Sequence, residues 1–169
     1  MNPARILSLT HRFMVRVFLL VVIVGVATAS SGASQENDEW NLFRRDAALT
    51  GVLPDGALAD ALVPIWMFET GDSIESTAAI ADGRVYFGSL DRFFYALDLK
   101  TGEELWKFQA AAEVKSSPSV FDGFVYFGDE FGEFHALDAA TGEKKWGFNT
   151  GAGIVSAANY ADGRLVFGS

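Results

Sequence analysis

Residues Ala96–Trp106 read ALDLKTGEELW, and Ala136–Trp146 read ALDAATGEKKW. The Ala, Leu, Asp, Thr, Gly, Glu and Trp recur at a step of forty residues. A catalytic motif is normally written once, so an irregular phrase written twice at a fixed step points to architecture. Other positions keep the same step. Trp66 precedes Trp106 and Trp146, and Phe68, Phe108 and Phe148 follow each Trp by two. Ser76, Ser116 and Ser156 align, as do Asp82-Gly83, Asp122-Gly123 and Asp162-Gly163. Phe87-Gly88, Phe127-Gly128 and Phe167-Gly168 complete the set. Repetition at this length indicates a solenoid, a propeller or an array.

The content of one unit chooses among these. Trp106-Lys107-Phe108 alternates large apolar and polar, as a strand does. Ser117–Val120 is a second short strand candidate, and Phe124–Phe127 (FVYF) is a third, rich in aromatic and β-branched residues. Between them, Asp122-Gly123 is a hairpin signal, because a type I′ turn needs φ > 0 at both central residues. Gly128–Gly132 reads as a turn, Glu133–Leu137 as a fourth strand, and Asp138–Gly142 as the turn before Trp146. No segment carries a sustained helical period, which argues against helical arrays. Four short strands in each unit describe a propeller blade, whose faces are buried only when neighbouring blades stack. A parallel β-helix is the runner-up, though its rungs are usually shorter and lack this hairpin punctuation. The expected fold is therefore all-β: a β-propeller of four-stranded antiparallel blades, incomplete, with about two and a half blades present.

The phrase Ala-x-Asp-x-x-Thr-Gly-x-x-x-Trp, with the upstream Asp-Gly-x-Val-Tyr-Phe-Gly, resembles the pyrroloquinoline-quinone (PQQ) repeat, the tryptophan-docking blade of quinoprotein-like propellers. The resemblance covers about residues 66–169. Neither the Trp-Asp of WD40 blades nor the Gly-Gly of kelch blades is present. The chemistry of the motif agrees. Gly102 and Gly142 stand where a turn needs φ > 0. Asp98 and Asp138 can accept hydrogen bonds from turn amides, with Thr101 and Thr141 adding hydroxyls. Ala96 and Ala136 are small where a large ring must fit. Trp106 and Trp146 each supply a broad apolar face and one N–H that needs an acceptor. The resemblance implies that each indole docks between adjacent blades, so that Trp106→Ala would cost several kcal/mol of packing. The first unit departs once: Arg92 stands where the second has Gly132, and Asp91 where it has Phe131. A different turn conformation or register is expected there.

Ahead of the repeats, Arg5, His11, Arg12 and Arg16 form a basic region, and Val17–Ala27 is an uncharged apolar run. That run is short for a membrane span, which needs roughly 20 residues. Ala27-Thr28-Ala29 then offers small residues to a signal peptidase. Residues 1–29 read as a cleaved signal peptide, with an uncleaved anchor as the alternative. Residues 30–39 read as a polar linker and 40–65 as a lead-in from Trp40, similar to that of exported propellers of this family. Residues 66–105, 106–145 and 146–169 are the repeats, the third partial. Since the third unit stops at Gly168-Ser169, the chain reads as the N-terminal part of a longer propeller or a truncated frame. Ile65–Phe68 could complete a last blade. The expected location is the periplasm or the cell envelope, with no integral span after cleavage.

The chain has 169 residues, half of them hydrophobic, so a packed core is feasible. The net charge is −9, and −12 without the three arginines of residues 1–29, a field that repels nucleic acid. There is no Cys, which excludes disulfides, thiolate metal sites, a Cys nucleophile and a lipoprotein anchor. No phosphate-binding loop, Gly-x-Ser-x-Gly or His pair is written. His135 aligns with Tyr95 and reads as a half-buried structural ring. The recurring carboxylates (Asp82, Asp122 and Asp162; Asp98 and Asp138) read as turn formers rather than a Ca²⁺ cage. Arg44-Arg45 reads as a solvated pair. No catalytic, cofactor-binding or metal-binding residue is assigned. The resemblance implies two functions. One is an exported, non-catalytic scaffold that binds a cell-envelope protein, as BamB-like outer-membrane assembly propellers do. The alternative is the N-terminal part of a PQQ- and Ca²⁺-dependent alcohol or sugar dehydrogenase. Those enzymes commonly carry a vicinal Cys pair, absent here.

Overall fold

The structure is a computed structural model, and it describes Phe18–Leu20, Trp40, Phe43 and residues 63–169 except Asp162. Most of the signal peptide, the linker with Arg44-Arg45 and most of the lead-in lie outside the described residues. Two strands come first, β1 (Phe18–Leu20) and β2 (Met67–Glu69), paired antiparallel with Leu19 opposite Phe68. Three residues of the segment read as a signal peptide thus lie along the edge of β2.

Two four-stranded antiparallel sheets follow, each in simple chain order. The first contains β3 (Ala79–Ala81), β4 (Arg84–Gly88), β5 (Phe93–Asp98) and β6 (Glu104–Gln109). The second contains β7 (Ser119–Phe121), β8 (Phe124–Gly128), β9 (Glu133–Asp138) and β10 (Lys144–Asn149). A hairpin of β11 (Asn159–Ala161) and β12 (Arg164–Val166) begins a third. Trp40 bridges Ile80 at the edge of β3. The sheets run out of phase with a count from Trp to Trp: the Trp strand is the fourth of its own sheet, ahead of three strands of the next.

Local chemistry accounts for this meander. Asp82 and Gly83 have φ of 48° and 70°, and Asp122 and Gly123 have 51° and 77°. Positive φ at both central residues twists the turn to match the flanking strands, and Asp-Gly tolerates it with least strain. β4 and β8 read RVYFG and FVYFG and are buried on both faces, so they lack the polar–apolar alternation of a half-solvated strand.

Because successive side chains point to opposite faces, each sheet divides its apolar residues between two neighbours. Tyr86, Phe94 and Ala96 face the second sheet and pack with Val125, Phe127 and Leu137. Val85, Phe87, Tyr95 and Leu97 face the other way and pack with Trp66 and Phe68 around β2. The second sheet repeats the division, with Tyr126, Phe134 and Ala136 toward Ile154, Leu165 and Phe167. Phe94 stacks on Phe127 and Phe134 on Phe167, each at 4.0 Å between ring centres. Each such ring contributes about 2 kcal/mol of burial.

Candidate functional site

The recurring phrase builds a clasp between consecutive sheets. At its turn, the Asp98 Oδ1 accepts the amides of Lys100 and Thr101, both at 2.8 Å. The Asp138 Oδ1 accepts those of Ala140 and Thr141, both at 3.0 Å. Thr101 and Thr141 hydroxyls accept the amides of Glu103 and Glu143. The Thr101 amide first, then that of Lys100, holds the Asp98 carboxyl below its ordinary range. The Thr141 amide leads the same effect at Asp138. Gly102 and Gly142 close these turns with φ of 74° and 73°.

A Trp from earlier in the chain lies on each turn, Trp106 from β6 and Trp66 from the residue ahead of β2. A Cβ on Gly142 would stand 2.6 Å from the Trp106 Cε3, and one on Gly102 would stand 2.5 Å from the Trp66 Cδ2. Glycine is therefore required twice over, for its φ and for the ring above it. The Trp106 Nε1 donates to the Ala139 carbonyl at 3.1 Å, which also accepts the Tyr86 hydroxyl at 3.0 Å. The Trp66 Nε1 donates to the Leu99 carbonyl at 3.0 Å. A β-bulge at Leu105 breaks the β5–β6 register just before Trp106, and one at Lys145 does so before Trp146. Such a bulge re-aims the following side chain. Ala96 and Ala136 lie fully buried opposite these Trp residues. Trp146 remains 44% exposed, because the described residues hold no Thr-Gly turn beside it.

A second recurring device escaped the sequence reading. The Ser116 hydroxyl donates to the Gly128 carbonyl and accepts the Gly128 amide, both at 2.8 Å. Ser76 and Ser156 do the same at Gly88 and Gly168. A Cβ on Gly88 would strike Val114, and one on Gly128 would strike Ile154. The recurrence of Ser and Gly was visible. Their pairing, from the segment ahead of each sheet to the far end of its first hairpin, was not.

The turn at Asp91-Arg92 corrects an expectation. Arg92 has φ of 72° and Gly132 has 84°, so the two turns share one conformation. The backbone bonds agree: Arg92 donates to the Ser89 carbonyl, as Gly132 does to that of Asp129. The frame of bonds outweighs the roughly 1–2 kcal/mol that a left-handed non-glycine residue costs. Only the carboxylate moves, from position 91 in one turn to 129 in the next. Asp91 Oδ2 accepts the Tyr95 hydroxyl at 2.7 Å, and Asp129 Oδ2 meets the His135 Nε2 at 3.1 Å. His135 is 3% exposed and Asp129 0%, so the ring read as half-buried is fully enclosed. Burial pushes the His135 imidazole below its ordinary value, with Asp129 opposing, and raises the Tyr95 hydroxyl.

The carboxylates of Asp98, Asp138, Asp91 and Asp129 are engaged by amides of their own turns. Among the described residues, no group of three or more His, Cys, Asp or Glu is placed to hold a metal ion. Nor is any helix among them long and apolar enough to cross a membrane.

Comparison with solved structures gives the same architecture. A BamB from Moraxella catarrhalis matches with 24% identity and a TM-score of 0.54, over 59% of this chain and 31% of that one. A quinohemoprotein alcohol dehydrogenase from Comamonas testosteroni matches with 22% identity and a TM-score of 0.64, over 76% of this chain and 23% of that one. The chain thus spans less than a third of either protein's length, and at these identities the likeness is one of fold. Comparison with curated protein sequences gives no match. The model of the family described as outer membrane protein assembly factor BamB matches residues 61–168, and with its Trp clasps and stacked four-stranded sheets the chain belongs to that family of PQQ-repeat β-propellers.

Proposed function

We propose that this chain is an exported, non-catalytic propeller module that binds a protein partner in the cell envelope. The observation that carries the reading is the use made of the polar groups in the recurring motif. Asp98, Thr101, Asp138 and Thr141 bond to their own turns, and the Trp66 and Trp106 indoles bond to the next sheet. Chemistry on a substrate would need such groups aimed outward and converging. The family match to an outer-membrane protein assembly factor supports the same direction. The alternative dehydrogenase reading draws only on likeness of fold, and function belongs to sites rather than folds.

Two measurements test this on the full chain. In a Gram-negative host, the secreted product is expected to begin at Ser30 by mass spectrometry; a product retaining Met1 in the cytoplasm would refute export. A dye-linked alcohol oxidation assay with added PQQ and Ca²⁺ is expected to show no PQQ-dependent turnover. Turnover above the protein-free rate would overturn the non-catalytic reading.

A further inference from the structure

We propose that the His135–Asp129 pair is an acid-sensitive latch on the seam between the first and second sheets, one that the seam before it lacks. Consecutive blades carry the same device with different chemistry. In the first, Tyr95 meets Asp91 and faces Phe68. In the second, His135 meets Asp129 and faces Phe108 of the preceding sheet, with ring centres 5.3 Å apart. A tyrosine stays neutral across the physiological range, whereas a histidine can change charge within it.

The surroundings favour the neutral ring. Phe127 stacks on one face of His135 at 4.8 Å, and Phe108 meets it edge to face. The Nε2 points at Asp129, while the Nδ1 is buried with no hydrogen-bond partner among the described residues. A proton arriving at Nδ1 would place an N–H in an apolar box with no acceptor, which is costly. The charged groups acting on the ring are few. Asp129 and Glu133 favour the imidazolium, and Lys144, held by Glu133, opposes it. Among the described residues, the rings that meet His135 from β6 and β8 are those of Phe108 and Phe127.

Asp129 connects the latch to its surroundings. Its Oδ1 accepts the amides of Phe131 and Glu133, and its carbonyl accepts the amide of Ile154 on the way to the third sheet. Charging His135 therefore disturbs the Phe108 seam and the turn bearing Phe131 together.

The sign follows from linkage. A group whose folded-state proton affinity is lowered contributes stability that is fully present above the unfolded value of about 6.5 and is lost as pH falls toward the folded value. NMR titration of the full chain can follow its two histidines, His11 and His135. The His135 ring is expected to titrate below the unfolded-chain value of about 6.5; titration at or above that value would overturn the proposal. The thermal midpoint of the native chain is expected to fall between pH 7.5 and pH 5 by more than that of His135→Tyr. Parallel curves would also overturn it. If His135→Tyr does not fold, the NMR titration of the native chain decides alone.

Discussion

Gly142→Ala examines the clasp most directly, because Gly123→Ala provides a matched control. Both glycines have a left-handed φ, 73° and 77°. An added Cβ at Gly123 meets nothing within 4 Å, whereas at Gly142 it meets the Trp106 ring at 2.6 Å. Gly123→Ala should therefore cost only the backbone term, about 1–2 kcal/mol. Gly142→Ala should add displacement of the indole. Its lost hydrogen bond is worth about 1 kcal/mol, and lifting part of the ring from its seat costs about 1–2 kcal/mol more. The total expected is about 3–5 kcal/mol. In a Trp106→Ala background the three atoms nearest that Cβ are gone, and the substitution should fall back toward the control's cost. The resulting coupling of about 2–3 kcal/mol is read from a double-mutant cycle in urea, followed by far-UV circular dichroism. Equal costs for Gly142→Ala and Gly123→Ala, or a cost unchanged by Trp106→Ala, would refute the clasp.

Trp106→Ala should cost about 3–5 kcal/mol, and Trp146→Ala under about 1 kcal/mol in the chain of 169 residues, since among the described residues Trp106 has a Thr-Gly turn beneath it and Trp146, 44% exposed, has none; denaturation midpoints compare them. Ser116→Ala leaves both the buried Gly128 amide and carbonyl without their partner and should cost about 2–4 kcal/mol. The same change at the half-buried Ser156, whose partner Gly168 is exposed, should cost less than about 1 kcal/mol by the same measurement. The carboxyls of Asp98 and Asp138 are held below their ordinary values. Their stabilisation is present above the unfolded value of about 3.9 and is lost as pH falls through the lower folded one. Acid unfolding of the Asp98→Asn/Asp138→Asn protein should therefore be flatter below about pH 4 than that of the native chain.

Much of the fold was legible because it rests on neighbours in sequence. Asp82-Gly83 and Asp122-Gly123 adopt the turn their residue types favour, and Gly102 and Gly142 adopt positive φ as the motif implies. The Asx turns of Asp98 and Asp138 span only two or three residues, so spacing sufficed to find them. The Arg92 turn was misread because residue type argued for a change, while backbone bonds from Ser89 kept the conformation. No carboxylate precedes Phe93 at the place Asp129 holds before Glu133, so periodicity alone did not mark Asp129.

By itself, then, the sequence determined the repeat, the strand content, the hairpin turns and the packing of small residues beneath each Trp. These are consequences of a two-residue side-chain alternation and of turn chemistry, both local. Only the tertiary structure decided that the Ala139 carbonyl takes both Trp106 and Tyr86, and that Ser116 closes on Gly128. It also enclosed His135 between Phe108 and Phe127. The Trp106, Tyr86 and Phe108 contacts join different sheets, whose stacking no local pattern encodes, while the Ser116–Gly128 pair closes across the β7–β8 hairpin of one sheet.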